Sequence, residues 1–255
     1  HFQALEAEQV PILEALDRVL AEDISAEMDI PPLANSAMDG YAVRLADTTG
    51  AGNDDPRRLR ITADLAAGSV LEGEILPGTA VRIMTGAPVP PGGEVVIPFE
   101  EVRVEGDTLL VFKPCSAGSN IRQAGEDVRA GEVILTHGTL LRPQEIGMLA
   151  ALGRDRIMVV RRPRIAILSP GDEVIEPGAA WQPGKIRNSN GYSNAAQVLQ
   201  YGGIPLMLGI ARDTIADITS HLEDGLRQGA DLIITTGGVS MGDFDLVKKV
   251  LVSEG

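Results

Sequence analysis

The sequence predicts an α/β protein of more than one domain, with a β-rich module set into its first half and a doubly wound parallel sheet in its second. Three observations predict it. Short apolar runs broken by Gly and Pro fill residues 31–115, the pattern of short strands joined by tight turns. From residue 163 onward, apolar runs of strand length alternate with amphipathic stretches of helix length, which specifies buried parallel strands covered by helices. A length of 255 residues suffices for two or three separate cores.

Taken in order, residues 4–21 carry Leu5, Val10, Leu13, Leu16 and Leu20 at intervals near a helical repeat, and so predict a helix. Pro31 and Pro32 end that mode, because proline lacks the donor and fixes its own φ. Leu59–Ile61, Ala80–Met84 and Glu94–Pro98 are then strands of the module. Residues 116–162 hold a Gly-rich loop, a short strand at Val133–Leu135 and a helix over Arg142–Leu152. They are expected to return beside the first segment. Residues 1–30 and 116–162 would thus form one discontinuous, largely helical linker domain around an insert of 31–115. The α/β domain, 163–255, has strands at Ile165–Leu168, Ile204–Ile210 and Leu232–Thr235. Its helices are Ser193–Gln200, a second with the face Ile215, Ile218, Leu222 and Leu226 closed by Gly229, and a third over Phe244–Leu251.

Composition removes several function classes. A formal net charge of -14 argues against nucleic acid or an anionic membrane as partner, and 3% aromatic residues leave little for stacking bases. One cysteine, Cys115, excludes an internal disulfide and fits a reducing cytoplasm. No apolar run is long enough to span a bilayer and no signal peptide is evident. The chain opens at His1 and closes at Gly255 behind an amphipathic stretch, and both ends are expected to be cuts in a longer protein.

Ligands of open parallel sheets sit beyond the strand carboxyl ends, and three unusual stretches fall there. The first strand runs into SPGDEV with Gly171, Asp172 and Glu173, the second into ARD with Asp213. The third runs into TTGGVSMGDFD with Thr236, Gly237, Gly238, Ser240, Gly242, Asp243 and Asp245. Consecutive glycines ahead of a helix aim backbone N–H groups at one point, and hydroxyls add donors, which is phosphate chemistry. Glu173, Asp213, Asp243 and Asp245 would repel a bare phosphate. A hard cation such as Mg²⁺, which takes carboxylate and phosphate oxygens together, resolves the conflict. Singly, each piece also reads as structure: TTGG as a tight turn, Asp172 as a turn cap, Asp213 as the cap of the next helix. Asp217, Lys248 and Lys249 read as solvated, His137 and His221 lack partners at metal spacing, and Cys115 reads as a buried thiol. Arg187 is the basic residue expected nearest to these loops.

At the front, PPLANSAMDGYAV over 31–43 holds Asn35, Ser36 and Asp39, IMTGAPVP over 83–90 holds Thr85, and GEDV over 125–128 holds Asp127. On turn chemistry alone these are equally hairpin loops. Together, NSAMDGYAV, IMTGAPVP, AGEDV, SPGDEV and TTGGVSMGDFD resemble the molybdopterin molybdenumtransferase family, which includes the gephyrin E domain, over essentially the whole chain. Ala34 departs from the Asp often found there. The resemblance implies a molybdopterin-binding α/β domain in 163–255, incomplete here, with a C-terminal β domain beyond it and lysines for molybdate in that missing part. It implies a cytoplasmic homodimer that takes adenylylated molybdopterin and molybdate, requires Mg²⁺ and releases AMP with molybdenum cofactor. Catalytic residues would be Asp39, Thr85, Glu173, Asp213 and Asp245, with Glu173 and Asp245 on the metal and Asp39 supplied in trans. Substrate would be held by Asn35, Ser36, Asp127, Gly171, Asp172, Asn188, Thr236, Gly237, Gly238, Ser240, Gly242 and Asp243. Two other readings compete. One is molybdopterin adenylyltransferase, a single domain that shares the TTGG element but lacks the front motifs. The other is a non-catalytic dimeric scaffold of the gephyrin E-domain kind.

Overall fold

The computed structural model describes residues 3–237. Contacts divide the chain into two compact units, Asp23–Leu135 on one side and the stretch up to Glu22 with the chain from Thr136 onward on the other.

The predicted N-terminal helix is not there. Residues Ala7–Pro11 form a strand, β1, followed by a single 3₁₀ turn at Ile12–Ala15. Pro11 cannot donate inside a helix, and Asp17 takes a left-handed φ of 60° that ends any helical run. The apolar spacing has another cause: Val10 and Leu20 are buried whereas Leu13 is 80% exposed.

The unit Asp23–Leu135 is built on one six-stranded sheet. Its strands are β2 (Gly40–Val43), β3 (Arg57–Leu65), β4 (Thr79–Ile83), β5 (Val95–Pro98), β6 (Val102–Glu105) and β7 (Thr108–Val111). Their order is β5-β2-β4-β3-β7-β6, antiparallel except for β3 against β4. Successive side chains of a strand point to opposite faces, and here both faces carry a core. Tyr41, Val43, Ala80, Val95 and Ile97 join one cluster, while Ala42, Val81, Ile83 and Val96 join the other. Gly40 permits the close approach of β2 and β5, because a Cβ there would lie 2.2 Å from the Ile97 carbonyl oxygen.

In the other unit, α1 (Pro143–Ala151) opens with proline at its first turn and Glu145 closing back onto the Arg142 backbone N–H at 2.9 Å. Strand β8 (Arg156–Val160) pairs antiparallel with β1, joining the two ends of this discontinuous unit. The chain then forms β9 (Arg164–Pro170), α2 (Ser189–Gln200), β10 (Ile204–Ala211), α3 (Ile215–Arg227) and β11 (Leu232–Thr235). The three strands make a parallel sheet in the order β10-β9-β11. Thr214 caps α3 at its start, and Gly229, at φ 74°, ends it. Of the predicted apolar face of α3, Ile218 and Leu222 are buried and Ile215 and Leu226 are exposed. Gly225 completes the contact, since a Cβ there would meet Leu208 at 3.1 Å and Ala166 at 3.3 Å. Among the described residues no helix is long and apolar enough to cross a membrane. The helix expected over Phe244–Leu251 lies outside the described residues.

Candidate functional site

At the carboxyl edge of the parallel sheet the three strand ends meet around Gly171. Its backbone N–H donates to the Ala211 carbonyl at 3.0 Å, tying the end of β9 to the end of β10. One residue on, the Asp172 N–H donates to the Asp213 carboxylate at 3.3 Å. On the other side, the Thr236 N–H donates to the Leu168 carbonyl at 3.0 Å, and Gly237 sits against Pro170. Gly171 has a φ of 139°, and a Cβ there would fall 2.6 Å from a Glu173 carboxylate oxygen. A side chain at 171 would therefore displace the Glu173 carboxylate from the edge. Gly171, Asp172, Glu173, Asp213, Thr236 and Gly237 are thus gathered as expected. Gly238, Ser240, Gly242, Asp243 and Asp245 lie outside the described residues.

Asn188 is the most firmly held polar group of this edge. It is 3% exposed and caps α2, its Oδ1 accepting from the Gly191 N–H at 3.1 Å and from the buried Ser169 hydroxyl at 2.9 Å. Its Nδ2 is buried without a partner among the described residues. Buried amide protons left unpaired are costly, which marks this donor as one suited to a ligand or an ordered water. Asp213 does not cap α3; that role belongs to Thr214. Asp217 accepts from the Arg212 N–H at 2.7 Å, and the His221 ring nitrogen lies 2.8 Å from the Asp217 carbonyl.

Arg187, the basic residue expected nearest to these loops, is directed elsewhere. Arg187 is turned onto the backbone carbonyls of Glu176, Pro177 and Ala179. Among the described residues, a cation reaches the edge at Lys185, whose Nζ donates to the Asp172 carbonyl at 2.5 Å. Spacing could not reveal it, because Asp172 and Lys185 are 13 positions apart and the chain between them folds back through the short parallel pairing of Val174–Ile175 with Ile186–Arg187. Among the described residues no three His, Cys, Asp or Glu side chains cluster to hold a metal ion.

The front motifs assemble separately, within the six-stranded unit. Asn35–Ser36 pairs antiparallel with Ile121–Arg122, and the Ser36 N–H and carbonyl bond to Ala87 and Gly86 at 3.0 and 2.8 Å. This places NSAMDGYAV against IMTGAPVP. The Asp39 carboxylate receives both the backbone N–H and the hydroxyl of Thr85, each at 2.7 Å. Those two bonds hold its carboxyl below the usual range, with the Arg82 charge assisting. Arg82 belongs to this set, although no motif in the sequence marks it. It pairs with Asp64 at 2.7 Å and lies 5.2 Å over the Phe99 ring. Asp127 is not drawn into the Asp39–Thr85 pair: its N–H bonds to the Ile30 carbonyl at 3.0 Å and its side chain is exposed.

Comparison with known proteins agrees with this division of motifs. Residues 1–153 match the family model described as the MoeA N-terminal region (domain I and II), and residues 166–255 match a probable molybdopterin binding domain. A protein named molybdopterin molybdenumtransferase 2 from Mycobacterium tuberculosis is 40% identical over 96% of this chain and 60% of its own length. The molybdopterin molybdenumtransferase of Bacillus subtilis is 38% identical over 98% of this chain and 59% of its own. A crystal structure of the molybdopterin biosynthesis MoeA protein from Pyrococcus horikosii superposes with a TM-score of 0.89 at 31% identity, covering 100% of this chain and 64% of that one. The chain thus spans about 60% of the length of the curated relatives it matches.

Proposed function

The chain belongs to the molybdopterin molybdenumtransferase family, and from that premise we propose that it carries much of the site at which molybdenum from molybdate enters adenylylated molybdopterin with release of AMP. The observation that carries this reading is the meeting of three parallel strand ends, β9 tied to β10 through the Gly171–Ala211 and Asp172–Asp213 hydrogen bonds and to β11 through Thr236–Leu168. A parallel sheet binds its ligand there. We read the sheet as part of a doubly wound one.

In this proposal the phosphates of the pterin–AMP anhydride lie over the backbone N–H groups of Thr236, Gly237 and Gly238, with the hydroxyl of Ser240 and the carboxamide of Asn188 as further donors. Lys185 supplies positive charge at the same edge. Glu173 and Asp245 would hold Mg²⁺. Hard oxygen donors suit that ion, and it characteristically takes one or two protein carboxylates and completes its shell with phosphate oxygens and water. When bound, the ion neutralises charge developing on the phosphates as the anhydride bond breaks. Asp213 orients the attacking water, while Gly171, Asp172, Gly242 and Asp243 shape the pocket. Asn35, Asp39, Thr85 and Asp127 form a second face, presented in trans within a homodimer in the cytoplasm, while Ser36, fully buried with its hydroxyl on the Met38 carbonyl, supports it from beneath. The match of residues 1–153 supports this reading over an adenylyltransferase, which lacks that front half. Nothing observed favours a purely scaffolding role.

Calorimetric titration with AMP, with and without Mg²⁺, tests the proposal. Binding should depend on Mg²⁺ and weaken about tenfold or more in Asp245→Asn, since each lost charge-assisted contact is worth about 1.5–3 kcal/mol. Equal affinity in both proteins, or indifference to Mg²⁺, would remove the metal–phosphate site from the scheme.

A further inference from the structure

Away from the strand-end site, the segment Arg161–Arg164 that joins β8 to β9 borders a cavity of about 490 Å³. Its lining is unusual in a chain of net charge -14: Arg18, Arg161, Arg162 and Arg164 face Glu8, Glu14 and Ile204. The volume far exceeds the ~30 Å³ share of one water, so a polyatomic anion with its hydration fits.

The four arginines are not equivalent. Arg18 is 8% exposed and donates to Glu8 and, at 2.9 Å, to the Val160 carbonyl. Its Nε is buried with no acceptor among the described residues. Arg161 is engaged by Glu6 at 2.9 Å and by both oxygens of Asp231 at 2.7 Å. Arg162 and Arg164 are exposed and have no carboxylate within ion-pair distance among the described residues, although Arg164 is near enough to Asp231 to help keep it ionised. Structural pairing therefore accounts for two of the guanidinium groups and leaves Arg162 without an ion-pair partner and Arg164 sharing Asp231 at longer range, with Glu14 the remaining carboxylate of the lining and one buried N–H that lacks an acceptor.

We propose that this cavity is a binding site for a tetrahedral oxyanion of double charge, the chemistry shared by phosphate, sulfate and molybdate. Guanidinium groups match such anions through paired N–H···O bonds. Several cations converging on a partly enclosed space raise the local anion concentration despite the acidic remainder of the chain. The buried Nε of Arg18 gains the acceptor it lacks. Arg162 and Arg164 close on the anion from the exposed side, where their side chains can move without disturbing the core.

The test is calorimetric titration of the chain at low ionic strength with sodium phosphate, sodium sulfate and sodium molybdate in separate arms. One saturable site per chain is expected in at least one arm. Arg162→Ala/Arg164→Ala should weaken it tenfold or more, Arg162→Lys/Arg164→Lys less, and Asp245→Asn not at all. The last variant separates this site from the proposed nucleotide site, since each can fail while the other stands. Competition among the three anions identifies which is preferred, a molybdate preference assigning the site to the metal's supply and a phosphate preference to a phosphorylated ligand. Both arginines are exposed, so circular dichroism of the double alanine variant should match the parent. Unchanged anion affinity in that variant overturns the proposal, as does the lack of saturable binding in all three arms.

Discussion

Asp231→Asn removes one charge at the point where the connection between β8 and β9 is fastened, and its cost can be worked from the geometry. The Asp231 carboxylate takes two bonds of 2.7 Å from the Arg161 guanidinium and a third of 2.7 Å from the Arg164 backbone N–H. The Arg161 bonds first, and the Arg164 N–H next, hold its carboxyl at about 2 against the ordinary 3.8. At about 1.4 kcal/mol per pH unit, that gap gives an upper figure of about 2.5 kcal/mol. Asp231 is 20% exposed, and solvent screening brings the expected loss to about 1–2 kcal/mol. The sign follows from the direction: a carboxyl depressed in the folded state stabilises fully above its unfolded pKa, and that stability is lost as pH falls from about 4 through about 2. Urea denaturation of parent and variant at pH 7, 4 and 3 reads both quantities. The variant should be less stable by about 1–2 kcal/mol at pH 7, with roughly half of the difference gone by pH 3. A difference that stays constant across that range, or is absent at pH 7, refutes the reasoning.

Two further substitutions probe the scaffold and the edge. Asn188→Ala deletes the α2 cap and strands the Ser169 hydroxyl, so thermal melting should show a loss of about 1–2 kcal/mol, and AMP affinity should fall with it. Gly40→Ala sets a Cβ 2.2 Å from the Ile97 carbonyl oxygen. Forcing β2 and β5 apart should cost about 2–4 kcal/mol, with hydrogen exchange speeding in those strands and unchanged in β9.

Legibility in the sequence tracked how local each cause was. Strand β11 appears at the residues its apolar run predicts, Leu232–Thr235, and α3 ends at the glycine that predicts its end. Both signals lie within a few residues of the element they specify. The stretch 4–21 misled because Val10 and Leu20 are buried by sheet and loop contacts, while Leu13, which completes the helical spacing, faces solvent. Pro11 was the available signal against a helix. The strand-end residues were legible because parallel topology alone brings Gly171, Asp213 and Thr236 together. Arg82 and Lys185 were not, because the first reaches Asp39 only through sheet pairing and the second reaches Asp172 only through a fold-back. No periodicity records either contact.

The pairing of β1 with β8 carries a consequence for biosynthesis. Strand β1 ends at Pro11, and its partner begins at Arg156. At roughly 5–20 residues per second, β1 leaves the ribosome roughly 7–30 s before the strand it pairs with. The six strands of the main sheet of the Asp23–Leu135 unit emerge within that interval, each with its partners encoded inside the same stretch. That unit can close during translation while β1 waits as an open edge, the state in which strands are most prone to pair with other chains. Synthesis speed through residues 23–155 therefore sets how long the nascent chain is exposed to misassembly.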